Sequence, residues 1–392
     1  MLNRISAAVF LLVVAAELSL AQAPAPAGQL AEQRFKNVQI LKGISVQEFM
    51  EMMGFISSAT NMTCTICHGN DSAGNWDKYA DDPPMKKTAR RMMLMGDALN
   101  KNYFAGSRRV TCYTCHRNAA VPKVTPTLAE QYSSPPPEDP DDIPQQAAGA
   151  PTAEQVLDKY LQAIGGVKKA ASLTSFVIKG KYQAYDDPDP SPVEIYAKAP
   201  GQFAQMNHGP SGDRITVDDG HAAWTAQAET ESPVPVVALG GGDLQGLNFE
   251  VQLYFPSRIK QLVTNLRVGY PLSGALSILP DRAGSGIDDR ELIVMQGTTT
   301  VGGQKVRLYF EKESGLLTRM VRYTNLPYGF ITTEMDYADY RDVDGLKMPF
   351  RITKTWVDGR SVVQVESHQV NVPIDASKFS KPAAVKETAG VK

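Results

Sequence analysis

Two five-residue segments constrain this chain more than any other part of its sequence. Residues 64–68 and 112–116 both read Cys-x-x-Cys-His. This spacing is typical of c-type haem attachment, in which two thiols form thioether bonds and the histidine ligates the iron. The chain contains 4 cysteines, and the two segments use all of them. The sequence therefore predicts two covalent haems, attached through Cys64, Cys67, Cys112 and Cys115.

A zinc site is the main alternative for two Cys-x-x-Cys pairs, because four thiolates bind zinc tetrahedrally. Zinc does not require the histidine that directly follows each pair, which is His68 in the first segment and His116 in the second. We therefore favour haem, with these two histidines as axial ligands of the two irons.

The first residues predict export. Arg4 precedes an apolar stretch over 5–16 that is too short to span a bilayer comfortably, which is the pattern of a secretory signal peptide. The small residues Ser19 and Ala21 indicate cleavage just before Gln22. No later segment contains a long apolar run. The expected mature protein is soluble and lies in the bacterial periplasm or cell envelope.

Composition divides the rest of the chain into two domains. Residues 122–150 are rich in proline and acidic residues and contain almost no large apolar side chains, which is typical of an extended linker. The formal net charge of -2 gives no indication of nucleic-acid binding. We expect a signal peptide over 1–21, a helical dihaem domain over 22–121, the linker over 122–150, a β domain with helices over 151–384 and a flexible tail over 385–392.

An amphipathic helix is predicted before each haem motif. Ser45 and Glu48 match a capping box at the start of the first helix. The apolar face of that helix is expected to contain Val46, Phe49, Met50 and Met53. A second helix is expected after residues 81–84, with an aspartate as its cap and proline in its first turn. Its apolar stripe is expected to contain Met85, Ala89, Met92, Gly96, Leu99 and Tyr103.

A sixth ligand is needed if each haem iron is to be a low-spin electron carrier. Methionine is a soft ligand that raises the potential, and each predicted helix contains at least three methionines, among them Met50, Met52 and Met53 on the first and Met92, Met93 and Met95 on the second. The histidines outside the motifs all lie in the second domain, at His208, His221 and His368. One methionine on each helix is therefore expected to ligate iron, and core packing is the alternative role for any single one.

Residues 34 to 122 resemble the multihaem cytochrome subunit of photosynthetic reaction centres. The resemblance is carried by the runs 38–41, 45–49, 89–92 and 110–117, together with Met53, Met95 and Asn100. It implies that Met53 ligates the first haem iron and that Met92 ligates the second. It also implies electron transfer, with redox proteins or a membrane electron-transfer complex as partners.

Two departures limit what this resemblance implies. The family usually carries four haems, whereas this chain has motifs for two. One family haem takes a histidine from the loop before a motif, and the corresponding loop here, 104–109, contains none. Donation to a photosynthetic special pair therefore does not follow, and a respiratory or extracellular electron-transfer role is at least as well supported.

The second domain is expected to be an antiparallel sheet with helices. A capping box at Thr152 and Gln155 predicts a helix that ends at 165–166, after which apolar residues alternate and short turn signals recur. A helical insert is expected over 247–268. The element order and the run 340–350 weakly resemble the half-barrel of LolA-type lipoprotein carriers. That resemblance implies an apolar groove for a lipid or quinone-like ligand, although we favour a filled core.

Three function classes follow from these observations. The leading one is an exported dihaem electron-transfer protein that is not an enzyme. The second is a dihaem peroxidase, in which one iron would have an open position for peroxide. The third is a lipid-binding envelope protein with accessory haems. The second domain contains no sequence motif of a serine hydrolase, a zinc protease or a phosphate-binding loop.

Overall fold

The computed structural model describes residues 28–122, 124–125, 149–185, 187–228, 232–269, 272–273 and 291–385. The predicted signal peptide, most of the predicted linker and all but the first residue of the predicted tail lie outside this part of the chain, so these boundaries remain predictions. Within it, the helices are either too short or too polar to cross a lipid bilayer.

The N-terminal region is helical, as the sequence predicts. Its α-helices are α1 Ala31–Arg34, α2 Val46–Thr60, α3 Cys64–His68, α4 Pro84–Tyr103 and α5 Cys112–His116. The capping box of α2 is confirmed, because the Ser45 hydroxyl accepts a 3.1 Å hydrogen bond from the Glu48 amide. The predicted aspartate cap of α4 is wrong. Its N-cap is Pro83, and Asp82 instead forms a 2.7 Å ion pair with Arg90, which lies nearly two turns into the helix.

One antiparallel sheet contains the fourteen strands found among the described residues. Its strand order is β6-β5-β4-β3-β2-β1-β14-β13-β12-β11-β10-β9-β7, and β8 pairs beside β9. The strands are β1 Ser175–Ala184, β2 Ser191–Lys198, β3 Gln202–Gly209, β4 Gly212–Asp218, β5 Ala223–Ala226, β6 Val236–Ala238, β7 Val263–Val268, β8 Leu272–Ser273, β9 Glu291–Thr299, β10 Lys305–Glu311, β11 Leu317–Leu326, β12 Gly329–Val343, β13 Leu346–Trp356 and β14 Gly359–Val370.

Turn chemistry positions the strands as the sequence predicts. The loop between β12 and β13 contains only Asp344 and Gly345, with φ angles of 52° and 78°. Positive φ at both positions is the requirement of a two-residue type I′ hairpin, and aspartate followed by glycine satisfies it at low cost. The predicted meander of antiparallel strands is therefore confirmed.

The predicted helical insert over 247–268 is only half right. The helices of this region are α6 Ala153–Ala163, α7 Val167–Ala171, α8 Gly241–Leu253 and α9 Ile259–Leu262. Residues 263–268 form β7 instead, because they pair with β9 and bury both terminal valines. Helix α8 also begins earlier than expected. Its Gly242 and Gly246 lie so close to Thr324 and Arg322 of β11 that added Cβ atoms would overlap those side chains.

The main core lies between the sheet and helices α6 and α8. Tyr160 of α6 packs edge-on against Phe310 of β10 with ring centroids 5.5 Å apart. Phe255, directly after α8, packs against Phe176 of β1 at 5.8 Å. All four side chains are at most 5% exposed. These buried rings pack α6 and the segment after α8 directly on the sheet. The filled core favoured in the sequence analysis stays a prediction.

A partly buried histidine predicts how the stability of the sheet depends on pH. His368 of β14 stacks on Phe176 at 5.3 Å, and burial lowers its pKa to about 4. In the unfolded chain the His368 imidazole binds a proton near pH 6.5. The stability that the neutral imidazole provides above that pH is therefore lost as the pH falls toward 4. Lowering the pH from 7.5 to 5 should reduce the free energy of unfolding of the parent protein, as measured with urea. In His368→Phe this reduction should be about 2 kcal/mol smaller.

The exposed His221 provides the control for this measurement. A His221→Phe variant should keep the pH dependence of the parent protein. If His368→Phe shows the parent pH dependence as well, His368 does not carry the effect.

Candidate functional site

A largely apolar cavity of about 560 Å³ lies between α2, α3 and α4. It brings the first Cys-x-x-Cys-His segment together with the predicted ligand Met53. Helix α2 forms one wall, the one-turn helix α3 forms another, and α4 forms a third. The wall residues from these three helices include Phe49, Met50, Met53, Ile56, Cys64, Cys67, His68, Ala89, Arg90 and Met93.

The His68 imidazole is oriented by a segment just after α3. Its Nδ1 lies 3.1 Å from the carbonyl oxygen of Tyr79, and the Tyr79 ring packs on it with centroids 4.7 Å apart. A carbonyl oxygen can only accept, so Nδ1 carries the proton and Nε2 keeps its lone pair. Burial lowers the pKa of His68, and the Lys86 and Arg90 cations act in the same direction, against the hydrogen bond to Tyr79. The neutral imidazole is therefore favoured.

The second segment repeats this arrangement. In α5, Nδ1 of His116 lies 2.9 Å from the carbonyl oxygen of Ala119, which again leaves Nε2 with a free lone pair. The amide of Asn118 donates a 2.9 Å hydrogen bond to the Ala59 carbonyl and so ties the end of α5 to α2. Burial raises the pKa of Cys112 to about 11. This thiol is thus the more enclosed of its pair, because Cys115 is exposed.

One asparagine on α4 fixes the loop before the second segment. Asn100 donates from Nδ2 to the Val110 carbonyl at 2.8 Å, and its Oδ1 accepts from the amides of Val110 and Arg109 at 2.8 and 2.9 Å. Sequence reasoning included Asn100 in the resemblance but gave it no role. The sequence signal for its loop-anchoring role is that a polar residue interrupts the apolar face of a helix near a loop.

The methionines of α4 divide between two faces. Met93 is 7% exposed and lines the first cavity, whereas Met92 is 41% exposed and lies on the predicted stripe with Met85 and Tyr103. Consecutive helical residues point about 100° apart, so the two cannot face the same side. The stripe exists as a helical face, but it is exposed and not packed in a protein core. The ligand role of Met92 stays a prediction.

The four thiols do not form one shared metal site. In the part of the chain that the structure describes, no three side chains of the His, Cys, Asp and Glu types come together as a metal-binding group. Each cysteine pair instead has its own histidine and its own surroundings.

The residues at the first segment fit a covalently attached haem. Two free thiols and an oriented imidazole with an available Nε2 border a large apolar cavity. A porphyrin needs such a space, since its ring is flat and mostly apolar. Beside the second segment, the exposed apolar stripe of α4 is the kind of surface that a bound group covers.

Comparison with known proteins is consistent with this geometry. Residues 11–157 match the family model of the photosynthetic reaction centre cytochrome C subunit. The N-terminal resemblance is therefore confirmed. The chain is 38% identical over 100 residues to the photosynthetic reaction center cytochrome c subunit of Thermochromatium tepidum, and 37% identical over 101 residues to that of Rubrivivax gelatinosus.

These matches are partial. Each covers 24% of this chain, and the chain spans only 24% and 26% of the two relatives. The activity and the partners of the complete relatives are therefore not transferred as findings.

The second part of the chain is similar to solved structures at low scores. A LolA superfamily protein from Nitrosomonas europaea shares 15% identity and a TM-score of 0.39, over 59% of this chain and 99% of its own. A DUF1329 family protein from Desulfovibrio piger gives 8% identity and a TM-score of 0.39, over 59% and 98%. The weak resemblance to LolA-type carriers is thus present, but scores this low support no argument about fold or function.

Loss of the Asn100 side chain should loosen the loop over 104–110. Asn100→Ala removes three hydrogen bonds and leaves backbone groups unpaired, a local cost of about 1–3 kcal/mol. Limited proteolysis should then cut this loop several-fold faster than in the parent protein. The exposed Asn102 on the same helix gives the matched control, and Asn102→Ala should leave the cutting rate unchanged. Equal rates in both variants would contradict the anchoring role.

Proposed function

We propose that this chain is an exported dihaem c-type cytochrome that transfers electrons between redox partners in the bacterial cell envelope. One observation carries the proposal: each Cys-x-x-Cys-His segment forms a one-turn helix whose histidine donates Nδ1–H to a backbone carbonyl and keeps Nε2 available. The match of this region to a cytochrome family model supports it.

The residues of the first site would have separate roles. Cys64 and Cys67 would tether the haem covalently, and His68 would bind its iron through Nε2. When bound, a haem supplies a one-electron ferric and ferrous couple. Met53 of α2 lines the same cavity and would provide the second axial ligand, so that no coordination position remains for a substrate. The Tyr79 carbonyl would hold the imidazole in one orientation.

The second site would use Cys112, Cys115 and His116 in the same way, with Met92 as the other axial ligand. The 41% exposure of Met92 and the 40% exposure of Met85 support a group that covers this stripe when bound. The hydrogen bonds from Asn100 would keep the second segment beside α4.

Two other functions compete with electron transfer. A dihaem peroxidase would need one iron with an open position, which methionine ligation of both irons would close. A lipid-binding protein would need space on the helix-facing side of the sheet, where the buried side chains of α6, α8 and the strands form one cluster. We therefore rank electron transfer first.

Optical spectra of the mature, haem-loaded protein test the proposal. We expect two haems per chain, both low-spin, with the weak far-red band of methionine bound to ferric iron. Met53→Leu should convert one haem to high spin, and Met92→Leu should convert the other. Met52 and Met95 lie on the same helices but are not among the residues that line the cavity, so Met52→Leu and Met95→Leu are the controls.

The outcomes separate electron transfer from the peroxidase and test each ligand assignment. A high-spin haem in the parent protein that reacts with peroxide would favour the peroxidase. An unchanged spectrum in Met53→Leu or Met92→Leu would overturn that ligand assignment alone. Absence of bound haem after expression with an intact haem-attachment system would overturn the proposed function.

The surface beside the second segment indicates the charge of the redox partner. Residues 84–121 contain eight Lys or Arg residues and one acidic residue, Asp97, although the whole chain has a net charge of -2. Lys87, Arg91 and Lys101 are exposed along one face of α4, and Leu94 between them is 53% exposed. An apolar centre with a charged rim is typical of electron-transfer interfaces. The proposed partner is therefore an acidic redox protein or an acidic face of a membrane complex.

Charged small oxidants test this surface without a known partner. Oxidation of the reduced protein by ferricyanide, an anion, should slow as salt rises, and oxidation by the cation tris(phenanthroline)cobalt(III) should accelerate. The double variant Lys87→Glu with Arg91→Glu should react about three- to tenfold more slowly with ferricyanide at low salt. The remote, exposed Lys168→Glu is the control. Equal rates in the two variants would exclude α4 as the entry surface.

A further inference from the structure

The connection between β11 and β12 of the sheet reaches the helices of the proposed haem region. We call residues 326–331, which join β11 to β12, the hairpin turn. Leu326 and Ile331 are 1% and 6% exposed and belong to one buried cluster with Met52 and Phe55 of α2. A Cβ added at Gly329 would overlap the Phe55 ring, so the turn and the helix are in close contact. The two regions therefore share a core.

Two opposite charges lie where the hairpin turn meets the second segment. Tyr328 donates a 2.8 Å hydrogen bond from its hydroxyl to Oδ2 of Asp97 on α4. The side chains of Tyr328 and Cys112 both pack against the shared buried cluster. The guanidinium of Arg108, four residues before Cys112, lies 5.7 Å from the centroid of the Phe330 ring. The hairpin turn thus contacts both charged side chains.

We propose that the hairpin turn completes the site of the second haem, and that Asp97 and Arg108, which it positions, set the potential of that haem. The inference rests on the proposed function. A negative charge beside the haem stabilises the ferric state, whereas a positive charge stabilises the ferrous state. Arg108 is only partly exposed, so water and salt screen its charge less than they screen a fully exposed group.

The site explains why both residues would act on the second haem more than on the first. Asp97 accepts the hydrogen bond of Tyr328, whose side chain packs against the same cluster as Cys112, and Arg108 lies in the loop that Asn100 fixes before Cys112. Neither Asp97 nor Arg108 is among the residues that line the first cavity. Asp97 and Arg108 are therefore the charged residues of one site, and the hairpin turn contacts both of them.

Potentiometric titration of the full-length, haem-loaded protein tests the inference. Asp97→Asn should raise the midpoint potential of the second haem, and Arg108→Gln should lower it. We expect a change of about three- to tenfold in the ferrous-to-ferric ratio at a fixed applied potential, where tenfold corresponds to 59 mV for a one-electron couple. Shifts of opposite sign distinguish an electrostatic role from general damage, which would move both variants in the same direction.

Matched variants assign these shifts to the second haem and to charge. Arg108→Lys keeps the charge and should retain most of the parent potential. Lys101→Gln removes an exposed charge from α4, the helix of Asp97, and should shift the potential less than Arg108→Gln does. In a protein that lacks the second haem through Cys112→Ala and Cys115→Ala, neither Asp97→Asn nor Arg108→Gln should move the remaining potential.

A double-mutant cycle tests the hairpin turn itself. Tyr328→Phe keeps the ring in the cluster but removes the hydrogen bond to Asp97. If the turn positions Asp97, the shift caused by Asp97→Asn will differ between the parent and the Tyr328→Phe background. Additive shifts would overturn the role of the turn. Two normal haems with potentials unmoved by Asp97→Asn and Arg108→Gln would overturn this inference and leave the proposed function standing.

Discussion

Helix α2 is packed on two sides, and the rest of the arrangement depends on that packing. Met52 and Phe55 are at most 5% exposed and face the hairpin turn of the sheet. Met53 and Ile56, one position further along, line the cavity that borders the first Cys-x-x-Cys-His segment. The helical repeat of 3.6 residues separates these two faces. A change on one face of α2 therefore affects the other face, and the sheet supports the proposed haem region directly.

Local features of this protein could be predicted from the sequence. The capping box at Ser45 and the hairpin loop over 344–345 depend on short-range hydrogen bonds and on allowed φ angles, which neighbouring residues determine. The Cys-x-x-Cys-His segments are similarly local, because one helical turn is enough to bring two thiols and an imidazole to one side. For this reason, the helix positions, most turns and the thiol and histidine residues of the candidate site could be predicted from the sequence.

Features that depend on distant contacts could not be predicted. Residues 263–268 continue an apolar stretch after a helix, and only pairing with β9 makes them a strand. Asp82 lies one residue before the N-cap of α4, Pro83, and its carboxylate makes a charge-assisted bond to Arg90 and no cap. A buried carboxyl pair joins Glu51 of α2 to Asp243 of α8, and burial raises the pKa of both. No local pattern indicates that these two acids meet.

The pairing of β1 with β14 has a consequence for the order of folding. Phe176 pairs with Val370, about 190 residues later, so the middle of the sheet cannot form before nearly the whole chain is available. Contacts of such sequence separation form slowly. The segments over 64–68 and 112–116 emerge much earlier and depend on local helices. The Cys112 thiol is therefore more open to a modifying enzyme before the hairpin turn packs beside it than in the folded protein.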